Sequence, residues 1–592
     1  MGPPSPSHES LPSSGSQSQF HLQQQPRTQR SRGGCQTCRI KKVKCDETRP
    51  ICRRCVRLEL TCDYTRLPRK KYTRRVISSP AASSPANLIT RTDAASTPSD
   101  SLIGRVDNSY FGEFGSGSLS DTQSADVSLP PLNTIADDGL ALDLSPDCAA
   151  ILSPSDHSAI HFFRFVLPGM VGTRISMHSG PGLVWKLAQQ SPMVLHMVCA
   201  VSGQTWSEKT SGSKSDAESR RLRAIQHYRD GLQMLAVATQ IPSEITCLPP
   251  VLATLWLMLL YELRFGDGCG IGVDAHLRGA TSILLGRSRL TTSDSSDPRT
   301  SQIIEPENFC PVSCRILVWL SHADGGAVLN GFGGYFNNLL GTSSVDITET
   351  EAQGRLQRVR QLQKRSILAN YDLWGRSYPQ TELLEDMQCS DLSCFDAECA
   401  QLKFMVGSLA AAEHRDNVPH GSWRQSVAGA IRSVRSRYGE LISVANRLEL
   451  PDDGPHRRFV MEMQSVISCF YAIYVCFLRI THGQEPIAPE QREAMKEIMS
   501  LGFKVYRDQG ESGLTRLGWP LFVVAIESDD ILHRSWIMER FSELVLHGEN
   551  YRQAYQAIRV AVGSRPLDER TVGYFEVFRV ESFPRFLLCQ GC

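Results

Sequence analysis

Residues 35–62 read Cys35-Gln-Thr-Cys38-Arg-Ile-Lys-Lys-Val-Lys-Cys45-Asp-Glu-Thr-Arg-Pro-Ile-Cys52-Arg-Arg-Cys55-Val-Arg-Leu-Glu-Leu-Thr-Cys62. The cysteine spacing is C-x2-C-x6-C-x6-C-x2-C-x6-C, so the half-motif C-x2-C-x6-C occurs twice. Two cysteines separated by two residues can hold one metal ion from a single turn of backbone, which is the usual spacing of zinc ligands. The stretch therefore predicts a metal site with six ligands: Cys35, Cys38, Cys45, Cys52, Cys55 and Cys62.

The number of cysteines indicates how many zinc ions they bind. Two tetrahedral ions need eight bonds, and six thiolates supply eight only if two of them bridge both ions. Cys35 and Cys52 stand first in the two half-motifs, so we expect them to be the bridges. The alternatives are a disulfide knot, or one zinc ion with two idle thiols. We favour two Zn²⁺ ions per chain because all six positions fit and because residues 1–30 lack the apolar core of an export signal.

Positive charge is concentrated around the cysteines. Residues 27–75 contain 17 Lys or Arg and four Asp or Glu, a net charge of +13, whereas the whole chain of 592 residues carries +1. A basic segment attached to a mildly acidic body predicts that the segment binds a polyanion.

The same segment has little apolar material with which to fold. Its predicted helices, residues 37–44 and 55–60, are shorter than the ~12 residues that an isolated helix needs in water. Metal binding supplies about 10–16 kcal/mol at a structural zinc site. We therefore expect the segment to fold only with metal, around a minimal core made of Ile40, Val43, Ile51 and Leu58.

The cysteine spacing, the basic run Arg39-Ile-Lys-Lys-Val-Lys44 and Pro50 resemble the fungal binuclear zinc cluster family of transcription factors. The resemblance implies that Lys41 and Lys42 read base edges in the major groove, and that the target is a CGG-type triplet. Lysine suits that role because it donates to O6 and N7 of guanine. The resemblance also implies phosphate contacts by Arg39 and Lys44.

The composition divides the chain into four parts. Residues 1–31 form a Ser/Pro/Gln-rich tail that we expect to be disordered, and residues 32–65 form the zinc cluster domain. Residues 66–155 are a basic and then Ser/Pro-rich disordered linker without sustained heptads, so the oligomeric state stays open. The start of this linker predicts nuclear import, and hence a nuclear protein, through Arg69, Lys70, Lys71, Arg74 and Arg75.

Residues 156–592 contain repeated apolar stretches with helical period and few alternating ones, which predicts an all-α domain. The runs Leu259-Leu-Tyr-Glu-Leu263, Ala275-His-Leu-Arg-Gly-Ala280 and Trp519-Pro-Leu-Phe522 resemble the second type of fungal-specific transcription factor regulatory domain. That resemblance implies a helical regulatory domain. The fold class expected for the whole chain is therefore mainly α: a small zinc cluster domain, a disordered linker and a large helical domain.

Catalytic frameworks are missing from this sequence. It has no P-loop, no H-E-x-x-H and no G-x-S-x-G, and the glycine-rich run at 266–272 follows a helical pattern instead of a strand. His276 and Arg278 are predicted to hold helices together, and Trp256, Trp519 and Trp536 to lie in the core. The longest apolar runs, residues 251–260 and 466–478, are shorter than the ~20 residues of a membrane span. We therefore expect neither enzymatic activity nor a membrane segment.

These observations favour a sequence-specific DNA-binding transcription factor that regulates RNA polymerase II genes. Its expected partner is double-stranded DNA, with transcription co-regulators as further candidates. A metal-dependent module that binds protein is the main alternative, and an enzyme with a zinc cluster appended is a third. The sequence leaves open the target genes, activation or repression, any effector, and the number and spacing of half-sites.

Overall fold

The structure is a computed structural model of the chain. It describes residues 35, 38, 45–49, 52–58, 62, 143–174, 176–209, 214–240, 247–266, 268–291, 304–341, 347–452, 454–483, 487–563, 573–579 and 585–588. These residues fall into two units, one within residues 1–118 and the other within residues 119–592. The predicted N-terminal tail and residues 66–142 of the predicted linker lie outside the described residues. The remainder of the predicted linker, residues 143–155, is corrected by the structure: it contains a helix, Pro146–Ile151, whose Cys148 is fully buried, so the helical domain begins before the predicted residue 156.

Regular structure in the described ranges consists of helices, without strands, as predicted from the apolar periodicity. In the first unit the described helix is α1 (Arg53–Arg57). The second unit contains α2 (Pro146–Ile151), α3 (Pro154–Phe165), α4 (Leu167–Val171), α5 (Gly180–Ala188), α6 (Pro192–Lys209), α7 (Lys214–Ala238), α8 (Leu248–Phe265), α9 (Ile271–Thr291), α10 (Pro311–Leu329), α11 (Tyr335–Asn338), α12 (Glu349–Ser366), α13 (Ala369–Trp374), α14 (Gln380–Gln388), α15 (Ser390–Asp416), α16 (Gly421–Arg437), α17 (Gly439–Val444), α18 (Pro455–His482), α19 (Pro489–Leu514), α20 (Gly518–Glu527), α21 (Ile531–Leu544), α22 (Glu549–Gly563) and α23 (Tyr574–Val577). Short 3-10 helices occupy Pro306–Asn308, Gly375–Ser377, Thr515–Leu517 and Val545–His547.

The second unit, which we call the helical domain, has two hydrophobic cores. The N-terminal core is drawn mainly from residues 148–340, and the C-terminal core mainly from residues 392–588. Helix α8 lies in the N-terminal core and is buried on nearly every side, because its sequence is apolar all round and not on one stripe only. Helix α18 likewise contributes many buried residues to the C-terminal core.

Helices α8 and α18 are long and apolar enough to cross a membrane, although each of the apolar runs noted in the sequence covers only part of its helix. The two candidate segments are Leu248–Phe265 and His456–His482. Inside the domain, 67% and 83% of their most apolar windows are buried. Both helices therefore occupy the position of core helices, where protein side chains cover their apolar surface.

The glycine-rich run between α8 and α9 is a tight turn. Gly268 and Gly270 have φ angles of +69° and +72°, a region in which a side chain is strained. The turn brings α9 back so that His276 Nε2 lies 2.8 Å from the Tyr228 hydroxyl on α7. Arg278 stacks on the Tyr335 ring, 4.8 Å from its centroid. Both residues link helices, as predicted.

The three tryptophans differ in their environments. Trp256 and Trp519 are buried in the two cores, which agrees with the prediction. Trp536 is only partly buried, and packs beside Phe503 and Tyr506 at the edge of the C-terminal core.

Candidate metal centre

The six cysteines of the first unit lie close together and form two groups of four. One group is Cys35, Cys38, Cys45 and Cys52, and the other is Cys35, Cys52, Cys55 and Cys62. Within each group the sulfur atoms all lie within 4.8 Å of one another. The two groups share Cys35 and Cys52, the two residues that head the half-motifs. Five of the six side chains are buried, and Cys62 is partly exposed.

Backbone hydrogen bonds repeat the same pattern in each half. The N–H of Cys38 donates to Sγ of Cys35, and the N–H of Cys55 donates to Sγ of Cys52, both at 3.4 Å. Each half also closes on its third cysteine, because Cys35 N–H donates to Cys45 Sγ at 3.5 Å and Cys52 N–H donates to Cys62 Sγ at 3.3 Å. The duplicated sequence therefore repeats the same hydrogen bonds among the cysteines of each half.

Sulfur–sulfur distances at the centre of the cluster suit shared ligands. Sγ of Cys35 lies 3.8 Å from Sγ of both Cys52 and Cys55, and Sγ of Cys38 lies 3.7 Å from Sγ of Cys52. Sulfurs bound to one tetrahedral zinc ion at about 2.3 Å are separated by roughly this distance. The donor set thus fits zinc, which accepts four thiolates.

The shifted pKa values of the clustered thiols favour binding of a cation. The N–H of Cys55 lowers the pKa of Cys52 to about 6. Burial raises the pKa of Cys55 to about 12, and burial and neighbouring thiols also raise the pKa of Cys38. Six thiols packed this closely cannot all ionise by themselves, because adjacent thiolates repel each other. A divalent cation removes that obstacle and binds the ionised form.

Asp46 fastens the loop after Cys45 to helix α1. Its carboxylate accepts the N–H of Arg53 at 2.9 Å and the N–H of Thr48 at 3.1 Å. The N–H of Thr48 lowers the pKa of Asp46, and Arg53 adds to this effect. The sequence does not predict this role, because Asp46 stands seven residues before Arg53, whereas a capping signal is read at the N-cap position, which is Cys52.

Two details of the predicted cluster fold are corrected by the structure. The second helix spans Arg53–Arg57 in place of the predicted 55–60, because Cys52 accepts the Cys55 N–H and starts the helix earlier. Leu58, predicted as part of a small core, is 46% exposed, and Val56 is 61% exposed. Among the described residues of this unit the buried interior consists of the cysteines themselves.

The predicted DNA contacts are not among the described residues. Arg39, Lys41, Lys42 and Lys44 lie outside them, as do the predicted import residues Arg69, Lys70, Lys71, Arg74 and Arg75 and the predicted core residues Ile40, Val43 and Ile51. Helix α1 contributes further positive charge, since Arg53 and Arg57 are exposed on it.

Comparison with protein families follows the two units. Residues 33–71 match the fungal Zn(2)-Cys(6) binuclear cluster domain. Residues 159–306 and 403–576, more than half of the chain, match the fungal specific transcription factor domain. The chain belongs to the fungal binuclear zinc cluster transcription factors. Both matched families are transcription factor domains and neither is an enzyme family, which agrees with the absence of catalytic motifs.

A curated relative of this zinc cluster transcription factor is "Transcription factor lfc1" from Flammulina velutipes. It is 45% identical over 47 residues. That alignment covers 8% of the present chain and 17% of the relative, so the chain spans about one sixth of that protein's length. No solved structure matches the transcription factor.

Proposed function

We propose that this protein is a nuclear, sequence-specific regulator of RNA polymerase II transcription, and that a cluster of two zinc ions presents its DNA-reading side chains. The observation that carries the proposal is the pair of four-thiol groups sharing Cys35 and Cys52. Two zinc ions held this way have tetrahedral coordination with six cysteines, and every cysteine is used. Zinc is a structural ion here, since four thiolates leave it no open position for catalysis.

The charge of the cluster determines what it can bind. Six thiolates and two divalent ions sum to −2, which by itself repels DNA. The 17 basic residues between positions 27 and 75 reverse that sign. We assign base reading to Lys41 and Lys42, with a CGG-type triplet as target, and phosphate contacts to Arg39 and Lys44. The basic run Arg69, Lys70, Lys71, Arg74 and Arg75 serves nuclear import in this proposal.

Domain boundaries complete the proposal. We assign residues 32–65 to DNA reading, residues 66–142 to a tether and residues 143–592 to regulation, since α2 and the fully buried Cys148 belong to the helical domain. The tether lacks heptads, so it supplies no dimerisation through a coiled coil.

A gel-shift experiment tests the assignment of the cluster. Cys52→Ala removes a sulfur that belongs to both four-thiol groups, so specific binding to a CGG-containing duplex is expected to be lost. Cys247→Ala is the matched control, because Cys247 is an exposed cysteine of the helical domain. Metal analysis of the same samples should find two ions per chain in Cys247→Ala and fewer in Cys52→Ala. Normal binding by Cys52→Ala would contradict the proposal.

A second variant tests the reading of bases. Lys42→Ala is expected to weaken binding to the CGG-type site by about 1–3 kcal/mol while binding to unrelated DNA changes little. Lys44→Ala is its control, because loss of a phosphate contact weakens binding to all sequences alike. Equal losses on both kinds of DNA in the Lys42→Ala variant would remove that residue from the reading role.

One observation favours a second candidate function, a metal-dependent module that binds another protein. Val56 and Leu58 are exposed on and just after α1, where an apolar partner surface can cover them. Salt separates the two functions. DNA binding weakens with a log–log slope of about 0.9 per neutralised phosphate, whereas an apolar contact responds little to salt. A flat salt response would therefore favour the protein partner.

A further inference from the structure

A cavity of about 210 Å³ lies inside the helical domain. Leu183, Trp256 and Val318 of the N-terminal core line one part of it, and Leu392 and Val466 of the C-terminal core line another. The cavity is therefore at the junction of the two cores. Small-molecule sites are commonly concave, largely apolar and placed where two packed bodies meet.

Four arginines line this cavity, and carboxylates neutralise two of them. Arg174 lies 2.9 Å from Glu382 and 3.0 Å from Asp386. Arg458 lies 2.7 Å from Glu462. Burial by itself would lower the pKa of Arg458, but Glu462 and Asp386 outweigh burial and raise it. These two arginines are part of the internal ion pairs of the domain.

The other two arginines, Arg315 and Arg516, have no carboxylate within 4.0 Å in the described part of the chain. Arg315 donates from Nε and Nη2 to the carbonyl oxygen of Ser366, at 3.3 and 2.9 Å. Arg516 donates from Nη2 to the side chain of Gln509, and its Nε is buried without an acceptor. Neither guanidinium group therefore has a carboxylate in direct contact, although Glu462, which also lines the cavity, acts on both from beyond that distance.

This arrangement costs the folded protein free energy. Burial lowers the pKa of Arg315, and it lowers the pKa of Arg516 to about 10. Both groups still carry their charge at neutral pH, since a guanidinium does not lose its proton there. A charge taken out of water without a partner is destabilising, and an anion bound beside it offsets that cost. Proteins retain destabilising buried charges of this kind mainly at functional sites.

A neutral polar side chain in the same cavity has one atom without a hydrogen-bond partner. Asn370 is 4% exposed, and its Nδ2 donates to the carbonyl oxygen of His178 at 2.9 Å. Its Oδ1 is buried and accepts no hydrogen bond. A donor on a bound molecule, such as a hydroxyl group, would satisfy that oxygen.

We propose that this cavity binds a small organic acid. Its carboxylate pairs with Arg315 and Arg516, and its apolar body lies against Trp256 and Trp319, whose ring centroids are 4.8 Å apart. Guanidinium groups match carboxylates because their N–H donors form parallel hydrogen bonds. A hydroxyl group on the acid would donate to Asn370.

The residues that line the cavity come from both the matched and the unmatched parts of the chain. Arg315 and Asn370 belong to residues 307–402, which the family match leaves out, while Arg516 belongs to the matched region.

The test uses the full chain loaded with zinc, and three acids as probes: benzoate, phenylacetate and 3-phenyllactate. Each acid is compared with its neutral amide, and inorganic phosphate is a further probe. We expect at least one acid to bind saturably by calorimetry and to raise Tm, with no effect of its amide. If no acid raises Tm at about 10 mM, where a millimolar ligand would stabilise measurably, the proposal is wrong. A Tm rise with phosphate only, or with acid and amide equally, would also overturn it.

Substitutions locate the binding. Arg315→Gln and Arg516→Gln are each expected to weaken acid binding at least about tenfold, the loss typical of one charged hydrogen bond. Arg492→Gln is the control, because it removes the same charge from an arginine that is 54% exposed and away from the cavity. Equal affinity in all three variants would overturn the assignment.

The thermal stability of Arg516→Gln without ligand is an independent test of the proposal. Without ligand, Arg516→Gln should keep or raise the Tm of the protein, because it removes a buried charge that has no carboxylate in contact. A large fall in Tm would indicate that Arg516 is a structural residue and would count against the proposal.

Discussion

Asp324 is a buried carboxylate that organises a helix start. It is fully buried on α10, and its oxygens accept the N–H groups of Gly334, Tyr335 and Asn337 at 2.7, 3.0 and 2.8 Å. These N–H groups stand at the beginning of α11, where no earlier carbonyl within the helix can accept them. Burial outweighs the three hydrogen bonds and raises the pKa of Asp324 to about 6.

Asp324→Asn is expected to destabilise the helical domain by about 1–3 kcal/mol, because the amide NH2 cannot accept the Asn337 N–H. The loss should depend on pH. The folded pKa of Asp324 exceeds its usual 3.8, so its ionisation costs stability that develops as pH rises from 3.8 to about 6 and persists above. Asparagine does not ionise, so the wild type should exceed the variant by more at pH 5 than at pH 7.

Urea unfolding at the two pH values measures this difference. Asp372→Asn, at an exposed position, is the control. A difference between wild type and Asp324→Asn that is the same at both pH values would contradict the raised pKa.

At the scale of elements, Glu398 on α15 connects three helices. It is fully buried and lies 2.7 Å from Arg360 Nε on α12, while Arg437 on α16 also contacts it. The Tyr438 hydroxyl donates to the same carboxylate at 2.8 Å. Burial raises the pKa of Glu398, and Tyr438 and the two arginines oppose that rise. The carboxylate therefore balances two positive charges that enter from different helices.

Glu398→Ala is expected to cost about 3–5 kcal/mol of unfolding free energy, because it leaves both arginines without their common partner. Denaturant unfolding followed by circular dichroism measures the loss. Glu440→Ala, at an exposed position just beyond α16, should change stability little. A loss below about 1 kcal/mol for Glu398→Ala would mean that water replaces the carboxylate without penalty.

On the scale of the whole molecule, each of the two units is stabilised by a different kind of interaction. The first has cysteine side chains as its buried interior in the described residues, whereas the second has two extended apolar cores. We therefore expect metal binding to supply the folding energy of the first unit and burial of apolar surface that of the second.

A chelator should therefore affect the two units differently. Removing zinc with phenanthroline is expected to abolish DNA binding, while most of the helical circular dichroism signal and its thermal transition remain. Adding zinc back should restore binding. Unfolding of the helical domain by the chelator alone would show that its stability depends on the metal.

The sequence predicts those features that depend on neighbouring residues. The cysteine spacing predicts the clustering of the thiols, because metal ligands two residues apart are constrained by local backbone geometry. The helical period predicts the all-α class for a similar reason. Leu58 was misplaced because apolarity alone does not show whether a small domain has an interior to receive the side chain.

Features that depend on distant partners were not predictable in this way. Asp324 and Glu398 look like ordinary charges in the sequence, and their roles appear only when other helices reach them. The cavity is a stronger case. Arg315 and Arg516 belong to segments far apart in the chain, and no local pattern marks an arginine that lacks a carboxylate in contact.

The two sulfurs common to both thiol groups also have a consequence for metal loading. If two ions bind as proposed, an ion in either group that holds Cys35 and Cys52 in place also positions two of the four ligands of the other ion. Uptake should then be cooperative, with chains carrying one ion scarce at intermediate zinc concentrations. The protein in a cell would then be either fully loaded with zinc or metal-free, and a small change in available zinc would convert one population into the other.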